Sequence, residues 1–485
     1  MEYENVFKRE HPVYAANKEI WKRSQEAYAG GKAYIDKAVI QHVSEVDLEF
    51  AERQKRAYYF NYPRKIARLI TQFVLAKDPT REGANPDVVE DFSRTGLRVN
   101  EVMRQFSTFI NVYGAAWLAV DMPNFKGELD QESKTTNRIR PYATALSPLS
   151  VVDWAYGADG LLQWVIAQET MITNDDPFKA REVKEVRRVW TRDKWMLLGR
   201  DESNKIQVID QNTHNLGMVP FVHHEDTDGF GMDANHWFED VVRISDAILN
   251  NESEAQMNIV KQMFGLLVVS ESFARGGATP RTETDSDGNE TTKFSHVLAR
   301  SAAIWETTEE NGISRYIAPD GASTDTIRQE NTNLKKEMFD VIGMAVQKDT
   351  KEAQTAESKA WDNLNVKQYL ATRADILEQA EQKAWSIMNA WDSTITEPEI
   401  VYNREFDVQD IKDTISALMQ LDNSDVGIEF KKQIQRTKVN VLDKIDKIPT
   451  DTRKDIAEEI DNMQPEPEPE LPTFSLNKGS DVDTE

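Results

Sequence analysis

The sequence predicts an α+β chain built from more than one domain, and three observations carry that reading. Both ends of the chain show helical spacing of apolar residues, whereas from Arg140 to Val222 the period shortens to that of strands. The strand-like runs cluster instead of alternating one by one with helices, which argues against α/β. At 485 residues, 39% of them hydrophobic, the chain exceeds what one core usually organises.

Taken in order, Asn17–Tyr28 is amphipathic and Gly30-Gly31 ends it. Ser44 opens Ser-Glu-Val-Asp and marks an N-cap before a helix over Leu48–Tyr59. Ile66–Leu75 continues as helix until Lys77-Asp78-Pro79 stops it, and Val88–Tyr113 forms a second helical block ending at Gly114. Arg53, Lys55, Arg56, Arg64, Lys65 and Arg68 are the most basic part of the chain. They read either as a solvated helix face or as a patch turned to another subunit or to DNA.

Ala115–Met122 reads as a strand. It is followed by Tyr142–Leu146, Val151–Trp154, Leu161–Gln168, Val183–Thr191, Lys194–Leu198 and Ile206–Ile209, short β-branched or aromatic runs between polar and glycine-containing turns. Trp154, Trp164, Trp190 and Trp195 fall in this unit, where aromatic core packing is the expectation. His236–Phe264 then forms one long helix of roughly 43 Å at 1.5 Å per residue. Its middle, Asn250-Asn251-Glu252-Ser253-Glu254, is polar on nearly all sides. The expectation is a helix outside any core, bridging domains or packing against copies of itself. Leu266–Ser270, Val297–Ile304 and Ile313–Ile317 read as a small β unit, with a hairpin tip at Asp287-Gly288-Asn289.

A helix–loop–helix follows between Pro319 and Trp391. Ile327, Leu334, Met338, Val341 and Ala345 form a one-sided stripe, interrupted where Asn331 takes an apolar position. Val366, Leu370, Ala374, Leu377, Ala380, Ala384, Met388 and Trp391 form a second, uninterrupted one. Between them Gln347–Ser358 is polar, with nothing large to bury. Lys348 and Lys351 read as solvated loop lysines balanced by Asp349 and Glu352, or as contacts to phosphate. Ile400–Phe406 reads as a strand, and Val408–Leu421, Glu429–Ile445 and Thr450–Met463 as helices. Gln464–Pro472 is an acidic proline run, and the tail to Glu485 reads as disordered.

Composition narrows the chemistry. Fifty-eight Lys and Arg against 83 Asp and Glu leave −25, a charge that opposes tight binding of nucleic acid or anionic membranes. No cysteine is present, so thiolate metal sites and cysteine nucleophiles are excluded. There is no G-x-x-x-x-G-K-[ST], no G-x-G-x-x-G, no H-E-x-x-H and no EF-hand loop. His223-His224 are adjacent on an extended segment and point to opposite faces, which chelates one ion poorly. The acidic N-terminus shows no signal peptide and no apolar run is long enough to span a membrane, so the chain reads as soluble and intracellular.

The order of elements, with certain short stretches, resembles the portal protein of tailed bacteriophages, the head-to-tail connector family. The stretches are His11-Pro12-Val13-Tyr14, Tyr58–Pro63, Leu146–Trp154, Leu216–Val222 and Asp246–Asn250, spread over roughly residues 11 to 460. The resemblance implies an α/β wing (1–235, with 359–399) and a helical stem (236–265 and 319–344). It further implies a small β-containing clip (266–318), a channel loop (345–358), a helical crown (400–463) and an acidic tail (464–485). It also implies a homo-oligomeric ring, typically of twelve subunits, at one capsid vertex of a virion, assembled in the host cytoplasm. Double-stranded DNA would pass through its channel during packaging and ejection. The implied partners are the terminase large subunit, head-completion or adaptor proteins, and major capsid and scaffolding proteins, with no membrane. The family is not enzymatic and needs no cofactor or metal, so no catalytic residue is expected. Channel-loop contacts to DNA would fall on Gln347, Lys348, Lys351 and Gln354, and partner docking on Arg275, Arg281, Asp287 and Asn289. The alternatives are an acidic multidomain enzyme acting on glycosides or nucleotides, and a helical scaffold or adaptor that would lack strands around Leu266–Ile317.

Overall fold

Amphipathic stretches form helices in the first hundred residues, and His11, Asn61 and Asn85 cap three of them. The computed structural model describes residues 3–123, 139–172, 174, 176–201, 203–226, 236–263, 322–341, 356–406, 450–462 and a few positions between 432 and 439. Between 266 and 317 it describes five strands. The chain divides into two compact units, Met1–Phe406 and Asp407–Glu485.

In the first unit α1 (Glu4–Lys8) precedes α2 (Pro12–Ala29), whose N-cap His11 accepts a hydrogen bond from the Val13 amide. Next come α3 (Lys32–Ala38), α4 (Asp47–Arg56) and α5 (Tyr62–Val74), the last capped by Asn61, which accepts from the Arg64 amide at 2.9 Å. Ser44 is not the cap of α4. That position is Val46, whose apolar side chain has no acceptor to cap the helix, while the neighbouring Glu45 carboxylate accepts from Arg53. The predicted block Val88–Tyr113 is likewise two helices, α6 (Pro86–Glu90) and α7 (Val99–Tyr113). A turn separates them, closed by the Phe92 amide on the Leu97 carbonyl, with Arg94 and Gly96 at positive φ. Gly114 then ends α7 in the left-handed region (φ 72°), and a Cβ there would lie 2.8 Å from the His236 ring.

The strands follow the predicted runs closely: β2 (Ala115–Asp121), β3 (Tyr142–Leu146), β4 (Val151–Tyr156), β5 (Leu162–Ile172), β6 (Val183–Thr191), β7 (Lys194–Arg200) and β8 (Ile206–Thr213). β4 to β8 form an antiparallel five-stranded meander. A separate sheet has β2 at its centre, flanked by β3 and by β9 (Phe221–Glu225). β1 (Thr80–Glu82) pairs with β15 (Glu399–Val401), which keeps only Ile400 and Val401 of the strand expected over Ile400–Phe406.

Central β2 divides two cores. Ala116, Leu118 and Val120 face one, with α5, α7 and the long helix α10 (Ala356–Trp391); Ala115 and Trp117 face the other, with α2 and the five-stranded sheet. Burial of both faces explains why this run alternates poorly in the sequence. Trp154, Trp190 and Trp195 are buried in the second core as expected, and Trp164 lies partly buried under Arg9. In the second unit the described helix α11 (Thr450–Asp461) pairs Asp461 with Arg436 at 2.5 Å. No helix among the described residues is long and apolar enough to cross a membrane.

Candidate functional site

The long helix α8 (Trp237–Met263) and helix α9 (Ala322–Val341) pack together and enclose the strands between them. At 1.5 Å per residue α8 is about 40 Å long. Its first half is apolar and buried through Phe238, Val241, Val242, Ile248 and Leu249, so it belongs to both cores. This corrects the expectation of a helix outside any core. Its polar middle is also mostly enclosed: Ser253 is buried and Asn250, Asn251 and Glu252 are half-buried.

That middle is held by paired polar groups, as burial of polar atoms requires. Asp246 accepts from the Tyr34 hydroxyl at 2.5 Å and from Arg23 at 2.7 Å. Asn250 donates to the Ala38 carbonyl at 3.0 Å and accepts from the Ile40 amide at 2.8 Å. Arg53, buried at 3% exposure, donates to Ser253 at 2.8 Å, to the Ile40 carbonyl at 2.6 Å and to both oxygens of Glu45. The hydrogen bonds from Arg53 hold the Glu45 carboxyl below its usual range. Arg53 is therefore no part of a solvated basic face.

The seam between α8 and α9 repeats the theme. Thr324, Asn331 and Met338 are the buried residues of α9, spaced by sevens, as on the contact stripe of a coiled coil. Asn331 does not interrupt the stripe; it is its centre. It accepts from Asn251 at 2.9 Å and donates to Glu252 at 2.8 Å, while Asn258 donates to Ser323 at 3.3 Å nearer the tip. Val341, expected on the stripe, is 42% exposed.

From this seam the chain enters β10 (Leu266–Ser270), the centre of a three-stranded sheet. β13 (Trp305–Thr307) lies parallel on one side of it and β14 (Arg315–Ile317) antiparallel on the other. Leu266 sits opposite Ile317, so this pair closes the excursion next to the helices. β11 (Thr279–Thr284) and β12 (Glu290–Ser295) form an antiparallel hairpin with Arg281 opposite Lys293. Of the residues expected to dock partners, only Arg281 is described; Arg275, Asp287 and Asn289 lie outside the described residues, as does the run Val297–Ile304. Gln347, Lys348, Lys351 and Gln354 lie outside them too, and α10 begins at Ala356, inside the expected loop.

Several motif stretches meet where α8 begins. The His11 ring stacks on Trp154 at 3.9 Å and His223 on Trp117 at 3.7 Å, with the two tryptophans edge to face. Tyr156 bonds His223 Nδ1 at 2.9 Å, and Nε2 lies 3.1 Å from Glu225. Those partners resemble an acid–base string, but the electrostatics oppose that use. Burial pushes the Tyr156 phenol up to about 12 and the His223 imidazole down to about 3, leaving neither an activated nucleophile nor a base suited to neutral pH. His224, on the opposite face of β9, is lowered to about 4 by burial. No group of three His, Cys, Asp or Glu among the described residues is placed to hold a metal ion.

Sequence reading missed the charges inside α10. Glu381, fully buried, takes a two-pronged contact from Arg81 at 2.5 and 2.9 Å and hydrogen bonds from Tyr402 at 2.6 Å and Trp385 at 3.2 Å. Arg373, also buried, pairs with Asp226. The available signal was a helical face, 373, 377, 381 and 385, broader than the apolar stripe alone.

No protein-family model matches the chain and no curated protein matches it. It is similar to chains in solved structures of gene transfer agent (GTA) particles. One is from the neck of a native particle computed with C12 symmetry: 9% identity, 78% of this chain and 90% of that one covered, TM-score 0.40. Another is from the neck of an empty particle computed with C6 symmetry: 12% identity, 81% and 94% covered, TM-score 0.40. A third is from the virion of a native particle: 11% identity, 85% and 98% covered, TM-score 0.38. At these values neither function nor assembly transfers from them to this chain.

Proposed function

We propose that the chain is a portal-type subunit: a ring-forming structural protein of a phage-like virion, through which double-stranded DNA passes during packaging and ejection. The observation that carries the reading is the polar-seamed pair α8 and α9 enclosing a five-stranded excursion. This arrangement agrees with the stem and clip implied by the sequence resemblance. The strands at Leu266–Ile317 also remove the distinguishing expectation of the scaffold reading. In this proposal 1–235 and 359–399 are wing, α8 and α9 stem, 266–318 clip, 345–358 channel loop and 400–463 crown. Terminase and head-completion proteins would dock on the clip, through residues such as Arg281. A ring of subunits carrying −25 each gives a bore that repels DNA and keeps friction low, with Lys348 and Lys351 as transient phosphate contacts.

Negative-stain imaging of the purified protein tests the assembly. Rings with a central hole are expected; compact monomers at every concentration would overturn the reading. Within assembled rings, Lys348→Ala/Lys351→Ala should alter the rate or retention of DNA in a packaging assay, and unchanged values of both would remove these lysines from the mechanism.

A further inference from the structure

The basic cluster noted in the sequence is sorted by the fold. Arg53 is buried against Glu45, Arg56 pairs with Glu52 at 3.6 Å, and Arg64 donates to the carbonyls of Tyr28 and Ala29. Arg68 on α5 remains exposed, with one long hydrogen bond to the Tyr28 hydroxyl at 3.4 Å. It lines a groove of about 550 Å³ between α5 and α7, together with Tyr28, Thr71, Leu97, Arg104 and Phe109. Arg104 enters from the other helix and is exposed, and its guanidinium has no ion-pair or hydrogen-bond partner among the described residues. Glu101 is the acidic residue of the groove, and its carboxylate is held by the Arg98 amide at 2.9 Å.

Neither guanidinium has a carboxylate partner among the described residues, although acidic residues of the chain outnumber basic ones by 83 to 58. The stretch from Ala57 to Ala76 contains no Asp or Glu at all. The groove is thus a local positive site with an apolar wall. Its charge matches an anionic occupant, since the arginine fork binds a carboxylate through two parallel hydrogen bonds. Tyr28, Leu97 and Phe109 add the aromatic and aliphatic surface on which extended peptides seat their side chains. A duplex fits less well. It is a long polyanion, which a chain of net charge −25 repels as a whole, whereas a short peptide meets only the local charge of the groove.

We propose that the α5–α7 groove binds an extended, carboxylate-rich peptide segment of a partner protein, with Arg68 and Arg104 each receiving a carboxylate. The test is fluorescence anisotropy on the full-length protein with a short labelled Glu-Pro repeat peptide, its Gln-Pro counterpart and a short DNA duplex. The Glu-Pro peptide should bind, more weakly as salt rises, and the Gln-Pro peptide should not. Arg68→Ala/Arg104→Ala should weaken binding by about tenfold or more. Lys55→Ala, outside the groove, should leave it unchanged. Both arginines are exposed, so circular dichroism should report an intact fold in the double variant. Equal binding of the two peptides, or equal binding by the double variant, would overturn the proposal. So would tighter binding of the duplex that depends on the same arginines. A loss of self-association in the double variant with unchanged peptide affinity would assign the groove to a second copy of the chain and overturn it too.

Discussion

The two-sided core around β2 and the seam between α8 and α9 are both buried, but they are specified differently. Around β2, selection is by volume: Trp117, Leu118, Phe106, Ile110 and Trp385 fill space with few polar atoms to satisfy. Along the seam, selection is by hydrogen bonds, because Asn251, Glu252 and Asn331 must meet one another in one register. Apolar surfaces tolerate sliding as long as volume is conserved, whereas a buried amide out of register loses its partners at full desolvation cost. A polar seam therefore fixes the relative position of two helices while contributing little net stability. That property suits a strut carrying a small sheet at its end.

The contrast can be broken at graded positions. The largest loss is expected in the core, where Glu381→Ala strands the buried Arg81 guanidinium; urea unfolding should show about 3–5 kcal/mol of destabilisation. Asn331→Ala, which leaves Asn251 and Glu252 without their partner, should cost about 1–3 kcal/mol by the same measurement. Asn331→Leu sharpens the point: if the seam is chosen for register, this variant should recover stability yet exchange amide hydrogens faster along α8 and α9. If exchange there is unchanged, the register argument fails.

A smaller effect is expected from pH. His223 is lowered from 6.5 to about 3 by burial, so below pH 6.5 the unfolded chain takes up a proton that the folded chain refuses. Its contribution is present above pH 6.5 and is lost progressively as pH falls toward 3. By pH 5.5 this amounts to roughly 1 kcal/mol. His223→Phe, which keeps a ring on Trp117, should flatten that slope in denaturation curves taken across the window. The smallest effect belongs to Ser323→Ala at the exposed end of the seam, within about 0.5 kcal/mol.

Much of this was legible beforehand. β3 and β6 begin and end where period-2 patterning put them, and β10 spans its predicted run. α10 buries Leu370, Ala374, Leu377, Ala380, Ala384 and Met388 as its stripe demands. The misses share a cause. Asn331 looked like an interruption and Asn250–Glu254 like a stretch outside any core, because their partners lie far away in the chain: Asn251 is 80 residues from Asn331, and Ser253 is 200 from Arg53. The Arg81–Glu381 contact, 300 residues apart, was invisible for the same reason. Of the candidate site, the pair of helices and several of its strands could be read in advance, while the residues that lock the helices could not.

By itself the sequence determined the α+β class, the clustering of strands after Gly114, the long helix after His236 and the apolar stripe of α10. All are consequences of local periodicity and of the few residues that interrupt it. Tertiary structure alone decided which polar side chains would be buried. It made Asn331 the centre of a helix seam, hid Arg53 from the basic face to which it seemed to belong, and left Arg68 and Arg104 facing one groove without ion-pair partners among the described residues. The physical reason is that a polar group's fate depends on whether a partner meets it across space, and spacing along the chain carries no record of that meeting.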